Sequence, residues 1–185
     1  MKRSLVNIVA FQTGWFACVL GAANDRPWTG LLVTGLVVGL HLALAARPGQ
    51  EVRLIFLTLL TGLVFDSLLV NSGWLHYAEG NQLAGVAPYW ILALWALFAT
   101  TLNVSMGWLK NRLVLAVFLG AVFGPLSYLA GQRLGAVEFV DIRAGIIALA
   151  CIWALAMPLL MLAASRFDGI RRLETALPLQ GLSRS

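Results

Sequence analysis

RLIFLTLLTGLVFDSLLVNSG, residues Arg53–Gly73, is the stretch whose reading decides the fold. It is apolar and long enough to cross a bilayer, for which a helix needs ~20 residues. About two-thirds of the way along stands one carboxylate, Asp66. An acid in hydrocarbon costs ~2.5–3.5 kcal/mol on insertion scales, so it normally faces a protein interior or a water-filled cavity. The rest of the chain has to supply that setting.

The composition says the same. Of 185 residues 60% are hydrophobic and 11% charged, and the mean hydropathy is +0.85. A soluble domain would carry a charged fraction near a quarter. The expectation is an all-α, polytopic membrane helical bundle. The net charge of +5 would suggest nucleic acid in a soluble protein. Here the Lys and Arg sit in short loops, as the positive-inside rule requires, and no basic run is long enough for a nucleic-acid patch. Cys18 and Cys151 both lie in apolar segments, with no CxxC pair and no His/Cys cluster. They read as small buried hydrophobes, not as a disulfide or a metal site.

Six segments are long and apolar enough to span: Leu5–Ala23, Trp28–Ala46, Leu54–Asn71, Pro88–Leu109, Leu113–Gly131 and Ala144–Ser165. They make one transmembrane domain over residues 1–165, followed by a tail at 166–185. The first segment has the basic start of a signal peptide. Asn7, Gln12 and Trp15 interrupt its apolar run, so it reads as a retained helix. Lys2, Arg3, Arg47, Arg53, Lys110, Arg112, Arg166, Arg171, Arg172 and Arg184 fall on one side, and only Arg26, Arg133 and Arg143 on the other. That asymmetry predicts both termini in the cytoplasm. In the tail, Phe167, Ile170, Leu173 and Leu177 fall near one face of a short amphipathic helix, suited to an anionic leaflet.

The connection Ser72–Ala87 contains no Lys or Arg; Trp74, Tyr77, Tyr89 and Trp90 in and after it suit the headgroup level. His76 and Glu79 stand three apart but fall short of the three or four ligands zinc takes. Gly35/Gly39 and Gly120/Gly124 are small pairs four apart that let helix backbones approach, and within-chain packing is the expectation for both. Pro125 and Pro158 are expected to kink the fifth and sixth helices.

Depth sorts the intramembrane polar groups into two layers. His41 and Asn103 sit roughly 8 Å from the inner ends of their helices and Asp66 near 20 Å, so His41 and Asp66 cannot pair directly. The inner layer is His41, Asn103 and Ser105, with Gln12 above it. The outer layer is Asp66, Ser67, Ser127 and Tyr128, roofed by Trp74 and Trp90. Two readings of Asp66 stay open: a helix pin held by Tyr128 or Ser127, or a carboxylate poised for a proton, a cation or a headgroup. His41 beside amides reads as a packing residue. The candidate ligand pocket is Asp66, Ser127, Tyr128, Gln12, Trp15 and Trp90.

Three stretches carry a resemblance: NIVAFQTGWFACVLGA at Asn7–Ala22, LWALFATTLNVSMGW at Leu94–Trp108 and GPLSYLAG at Gly124–Gly131. In that order they resemble a bacterial family of small inner-membrane proteins known as a domain of unknown function, DUF2878. The resemblance covers most of residues 5–165. It implies a multi-pass inner-membrane protein and no particular activity. Pro88-Tyr-Trp followed by Trp95 is also similar to a helix of the tetrapyrrole-binding tryptophan-rich sensory proteins, from which six spans and charged loops set this chain apart.

The sequence holds no Walker loop, nucleophile elbow, HExxH or paired-carboxylate motif, and no cofactor is expected. The leading expectation is a protein that binds or moves a lipid-phase or small amphipathic molecule, with membrane lipids as its surroundings. The alternatives are a small intramembrane lipid-modifying enzyme using Asp66 as acid or base, and a scaffold using the Gly grooves and the tail.

Overall fold

The computed structural model describes residues 2–78 and 83–170. Each of the six apolar stretches becomes a helix: α1 Lys2–Ala23, α2 Trp28–Ala43, α3 Pro48–Ser72, α4 Tyr89–Leu102, α5 Leu113–Arg133 and α6 Ile142–Arg166. Four of them (α1, α3, α5 and α6) are long and apolar enough to cross a membrane; α2 and α4 are shorter apolar helices. The surface left outside is strongly apolar, with Leu5, Leu36, Val114 and Ile147 all exposed, which a water-soluble monomer rarely tolerates over a wide area.

Local chemistry sets the ends. Pro48 stands in the first turn of α3, where its missing N–H is no loss. Gly73 closes the helix in the left-handed region, φ 70°, the conformation glycine adopts without penalty. Asp141 caps α6, its side chain accepting from the backbone N–H of Arg143 and Ala144. Helix α3 therefore starts six residues before the expected Leu54, and this brings Glu51 inside it. Helix α4 stops at Leu102, seven residues short of the expected Leu109. The Thr100 and Thr101 hydroxyls donate back to Leu97 O and Phe98 O, and the backbone N–H of Val104 and Met106 both turn to Thr101 O. A separate 3₁₀ turn, Gly107–Leu109, follows.

Two short strands were not foreseen. β1, Leu75–Tyr77, pairs antiparallel with β2, Val137–Phe139, in the register Leu75 with Phe139, His76 with Glu138 and Tyr77 with Val137. Part of the connection expected to be an open interfacial loop is thus a ribbon closing one end of the bundle. The backbone carbonyl of Trp74 accepts from Val140 and Asp141 N–H just beyond the pair.

Small residues set how closely the helices meet. A side chain at Gly120 or Gly124 of α5 would run into Trp153 and Met157 or Trp153 of α6, so this pair serves a contact within the chain. Gly35 and Gly39 of α2 do not: nothing lies within 4 Å of either position, and both are exposed. The surface of α2 that packs carries Gly30 and Thr34 instead, with Gly30 against the backbone of Cys18 in α1. Helices α5 and α6 run through Pro125 and Pro158. Of the expected tail helix, residues 171–185 lie outside the described residues.

Placing leucine at Gly124 should therefore destabilise the protein by about 1–3 kcal/mol through overpacking against Trp153, and leucine at Gly35 should change nothing. Thermal denaturation of the two variants in the same detergent makes the comparison.

Candidate functional site

Along α3 the buried residues Glu51, Ile55, Thr58, Gly62, Asp66 and Leu69 recur every three or four positions, the spacing of one helical face. A carboxylate stands near each end of that face. Both are 0% exposed.

Asp66 accepts three hydrogen bonds from three different elements. The Tyr128 hydroxyl of α5 donates to Oδ1 at 2.6 Å, and the Tyr77 hydroxyl of β1 donates to the same oxygen. The Trp95 indole N–H of α4 donates to Oδ2 at 2.6 Å. Glycines make these approaches geometrically available. At Gly62, one turn before Asp66, a side chain would collide with the Trp95 ring; the bare backbone lets the indole lie across α3. The left-handed Gly73 turns the chain so that β1 returns beside the helix it has just left. The aromatic rings then brace one another. Trp95 stacks on Trp153 at 4.8 Å between centroids and 8° between planes, and Tyr77 meets Trp90 edge-on at 5.8 Å. Among the described residues no cationic side chain forms an ion pair with Asp66. The two phenols and the indole thus satisfy both oxygens of the buried carboxyl group where no cation does. Loss of solvation, and then the neighbouring Asp66 carboxylate, push the Tyr77 phenol well above its ordinary range, so it remains a donor at physiological pH.

The two candidate partners of Asp66 from the sequence part company here. Tyr128 reaches it; Ser127 donates to Gly124 O at 2.7 Å instead, one turn back along its own helix. Tyr77 and Trp95 were missed. Tyr77 sits in a loop whose aromatics suit a headgroup layer, and nothing local indicates that a strand carries it inward. Trp95 has a signal, since Gly62 is the one small residue on the acid's own face, but the match across helices is not written in either stretch. Ser67 also serves the backbone, accepting from Ala87 N–H at 3.0 Å, while Asn71 donates to Gly85 O at 2.6 Å. Trp74 is partly exposed, while Trp90 is buried against Tyr77.

At the other end of α3 stands the acid that the sequence reading left in a loop. Glu51 Oε2 pairs with His41 Nε2 at 2.7 Å, and Oε1 accepts from Asn103 Nδ2 and from Gly169 N–H, each at 2.7 Å. Asn103 Nδ2 also donates to Phe167 O at 3.0 Å. Around this knot Lys110 pairs with Asp168 at 2.7 Å, and Arg47 binds the carbonyls of Asp168 and Gly169. So His41 and Asn103 do share a layer, organised by a carboxylate. Ser105 belongs elsewhere, donating to Asn7 Oδ1 at 2.7 Å, and Asn7 donates to Thr100 O. The missed signal was periodicity: Glu51 falls on the face of Ile55, Thr58, Gly62 and Asp66.

Gln12 and Trp15 join neither carboxylate. They line a cavity of about 670 Å³ whose walls come from α1, α4, α5 and α6, and which Trp90, Trp95, Ser127, Tyr128 and Trp153 also line. Asp66 is not in the wall; two of its donors, Trp95 and Tyr128, stand between it and the cavity. Three wall residues, Phe16 of α1 and Phe123 and Leu126 of α5, are also outward-facing, each at least 45% exposed. The cavity therefore reaches the flank of the bundle between α1 and α5.

Among the described residues no group of three His, Cys, Asp or Glu could hold a metal ion. His76 is exposed on β1, and Glu79 of the possible pair lies outside the described residues. Cys18 is buried with its sulfur 3.6 Å from the Thr34 hydroxyl, and Cys151 is exposed.

A family model described as a protein of unknown function (DUF2878) matches residues 4–159. No curated protein matches, and no solved structure matches.

Replacing Tyr128 by Phe removes one donor to a buried carboxylate and should cost about 1.5–3 kcal/mol. Asp66→Asn should cost at least as much, because its amide cannot accept from all three donors. The double variant should lose less than the sum, as expected for groups sharing one interaction. Denaturation of the three variants in detergent reads all of these.

Proposed function

The chain belongs to this DUF2878 family of unknown function, and from that premise we propose that it is a six-span protein of the bacterial inner membrane that binds or moves a lipid-phase molecule in the cavity between α1 and α5. The observation that carries this reading is the position of the cavity mouth. Phe16, Phe123 and Leu126 belong both to the cavity wall and to the apolar outer surface. A water-borne substrate would need an opening at one end of the bundle; an opening through the apolar flank suits a molecule already dissolved in hydrocarbon. The volume falls within the range of small-molecule sites, about 300–1,000 Å³.

The lengths of the two shorter helices and the burial of α4 support the six-span reading. At 16 and 14 residues, α2 and α4 are about 24 and 21 Å long, below the ~30 Å of a hydrocarbon core. Helix α4 buries eight of its residues, so it crosses mostly inside protein, and the 3₁₀ turn extends its path. Lys2, Arg3, Arg47, Arg53, Lys110, Arg112 and Arg166 collect at the Glu51 end, which supports a cytoplasmic Glu51 end by the positive-inside rule.

One observation favours a second reading, a lipid-modifying enzyme. Tyr128 is a cavity-wall phenol bonded to a buried carboxylate, an arrangement able to hold and pass a proton. Against it, every hydrogen bond found on Asp66 also ties down a helix or strand, which suits a pin better than a base.

Leu119 lines the cavity and is half-buried. Leu119→Trp should narrow it, and the purified variant should retain less of whatever lipid-phase molecule co-extracts with the wild type, with its melting temperature unchanged. Unchanged co-extraction would count against the cavity. Separately, single cysteines placed at Trp74 and Val140 should be labelled only from the periplasmic side, whereas one at Gly49 should be labelled only from the cytoplasm.

A further inference from the structure

The cavity wall has a chemical character that narrows its occupant. None of the side chains lining it is charged. The nearest acid, Asp66, is screened from it, both carboxylate oxygens being already occupied by Tyr77, Tyr128 and Trp95. The Lys110–Asp168 and His41–Glu51 pairs lie at the other end of the bundle. An anionic headgroup would therefore enter with no cation to meet it, and a cation with no free carboxylate. Moving an unpaired charge into such a site costs far more than moving a neutral polar group.

The uncommitted polar groups of the wall are indole N–H donors, with those of Trp90 and Trp153 buried without a partner, and the Gln12 amide, which alone among them can also accept. Ser127 spends its proton on Gly124 O, and Tyr128 spends its own on Asp66. Gln12 makes no hydrogen bond among the described residues, though it sits exposed near the middle of α1 and lines the cavity. A primary amide offers both a donor and an acceptor. In hydrocarbon, with no water to satisfy it, an amide left alone is costly. Helix α1 carries this cost about 15 Å from its start, beside Phe11 and Trp15 of the same wall.

We propose that the occupant is an uncharged lipid-phase molecule with an apolar body and one hydroxyl or carbonyl end, and that Gln12 hydrogen-bonds that end. Its body lies along the aromatic wall of Phe11, Trp15, Phe98 and Trp153. The proposal rests on the cavity reading above and adds the charge class of the ligand and the residue that reads it. Ser127 and Tyr128, whose protons are committed, retain lone pairs and can only accept.

The test uses the full chain in nanodiscs of phosphatidylcholine and three probes sharing one chain: hexadecanol, hexadecyl phosphate and hexadecyltrimethylammonium. Intrinsic tryptophan fluorescence reports occupancy, because Trp15, Trp90, Trp95 and Trp153 all line the cavity. Hexadecanol should half-saturate the signal at a mole fraction about tenfold or more below either charged probe, and Gln12→Leu should raise that value roughly five- to tenfold, the size of one lost hydrogen bond. Because Gln12 is exposed and unbonded, the variant's melting temperature should be no lower than the wild type's. A charged probe that binds as tightly as the alcohol overturns the neutral-ligand assignment but leaves the cavity standing; tighter binding of the ammonium would mean that the aromatic wall acts as a cation site. An unchanged response in Gln12→Leu overturns the role of the amide. If no probe alters the fluorescence of the wild type, or if Leu119→Trp responds as the wild type does, the cavity reading fails, and this proposal with it.

Discussion

One carboxylate accepting three hydrogen bonds holds one end of this molecule together. Asp66 has no cation beside it among the described residues, and a carboxyl group buried without hydrogen-bond partners is costly to a fold. The cost is met by donors brought from β1, α4 and α5. Each of those elements is in turn positioned by its need to reach the same few cubic ångströms. Tyr77 arrives because a ribbon returns it; Trp95 arrives because Gly62 leaves room; Tyr128 arrives on a helix that Gly120 and Gly124 press onto α6. Removing the acid would leave three inward-pointing donors with nothing to bind.

Helix α3 acts as a spine with a similar device at its opposite end. Glu51 and Asp66 share a face and stand about 22 Å apart along the axis. Glu51 gathers α2 through His41, the end of α4 through Asn103 and the segment after α6 through Gly169. Helix α4 is the element fastened to both acids, by Trp95 from its middle and by Asn103 from its C-cap. Helix α1 has no such fastening to α3. It meets α2 and α4 mainly by close packing, at Gly30 on Cys18 and Gly14 on Leu97, and the cavity opens beside it. The side of the bundle without a carboxylate clamp is thus the side where space is left.

How much of this could be read beforehand follows from the range of each interaction. Six apolar stretches and the buried Asp66 were legible because hydrophobicity and an isolated charge are properties of a single stretch. Tyr128 was reachable as a partner because both residues sit at the same depth on helices of known direction. Glu51 was not, because the helix start was placed at Leu54, and an acid flanked by Arg47 and Arg53 looks like loop charge. Had the three-and-four spacing been followed backward from Asp66, Glu51 would have fallen on the buried face. Tyr77 depends on a strand pairing some sixty residues away (Tyr77 with Val137), and three-residue strands leave no periodicity to detect. The Gly35/Gly39 motif misled for the opposite reason. Small residues permit close approach but do not require it, and α2 approaches its neighbour through Gly30 and Thr34.

In the proposed function Asp66 stays behind the wall and fixes Tyr128 and Trp95, and the ligand lies on the cavity side of both. The most direct measurement is a crystal structure of the protein with a bromine-tagged hexadecanol, located by anomalous scattering. The account predicts bromine in the cavity between α1 and α5, with Tyr77, Tyr128 and Trp95 still on the Asp66 carboxylate. Bromine beside Asp66 with those donors displaced, or a cavity closed by α1 against α5, would contradict it.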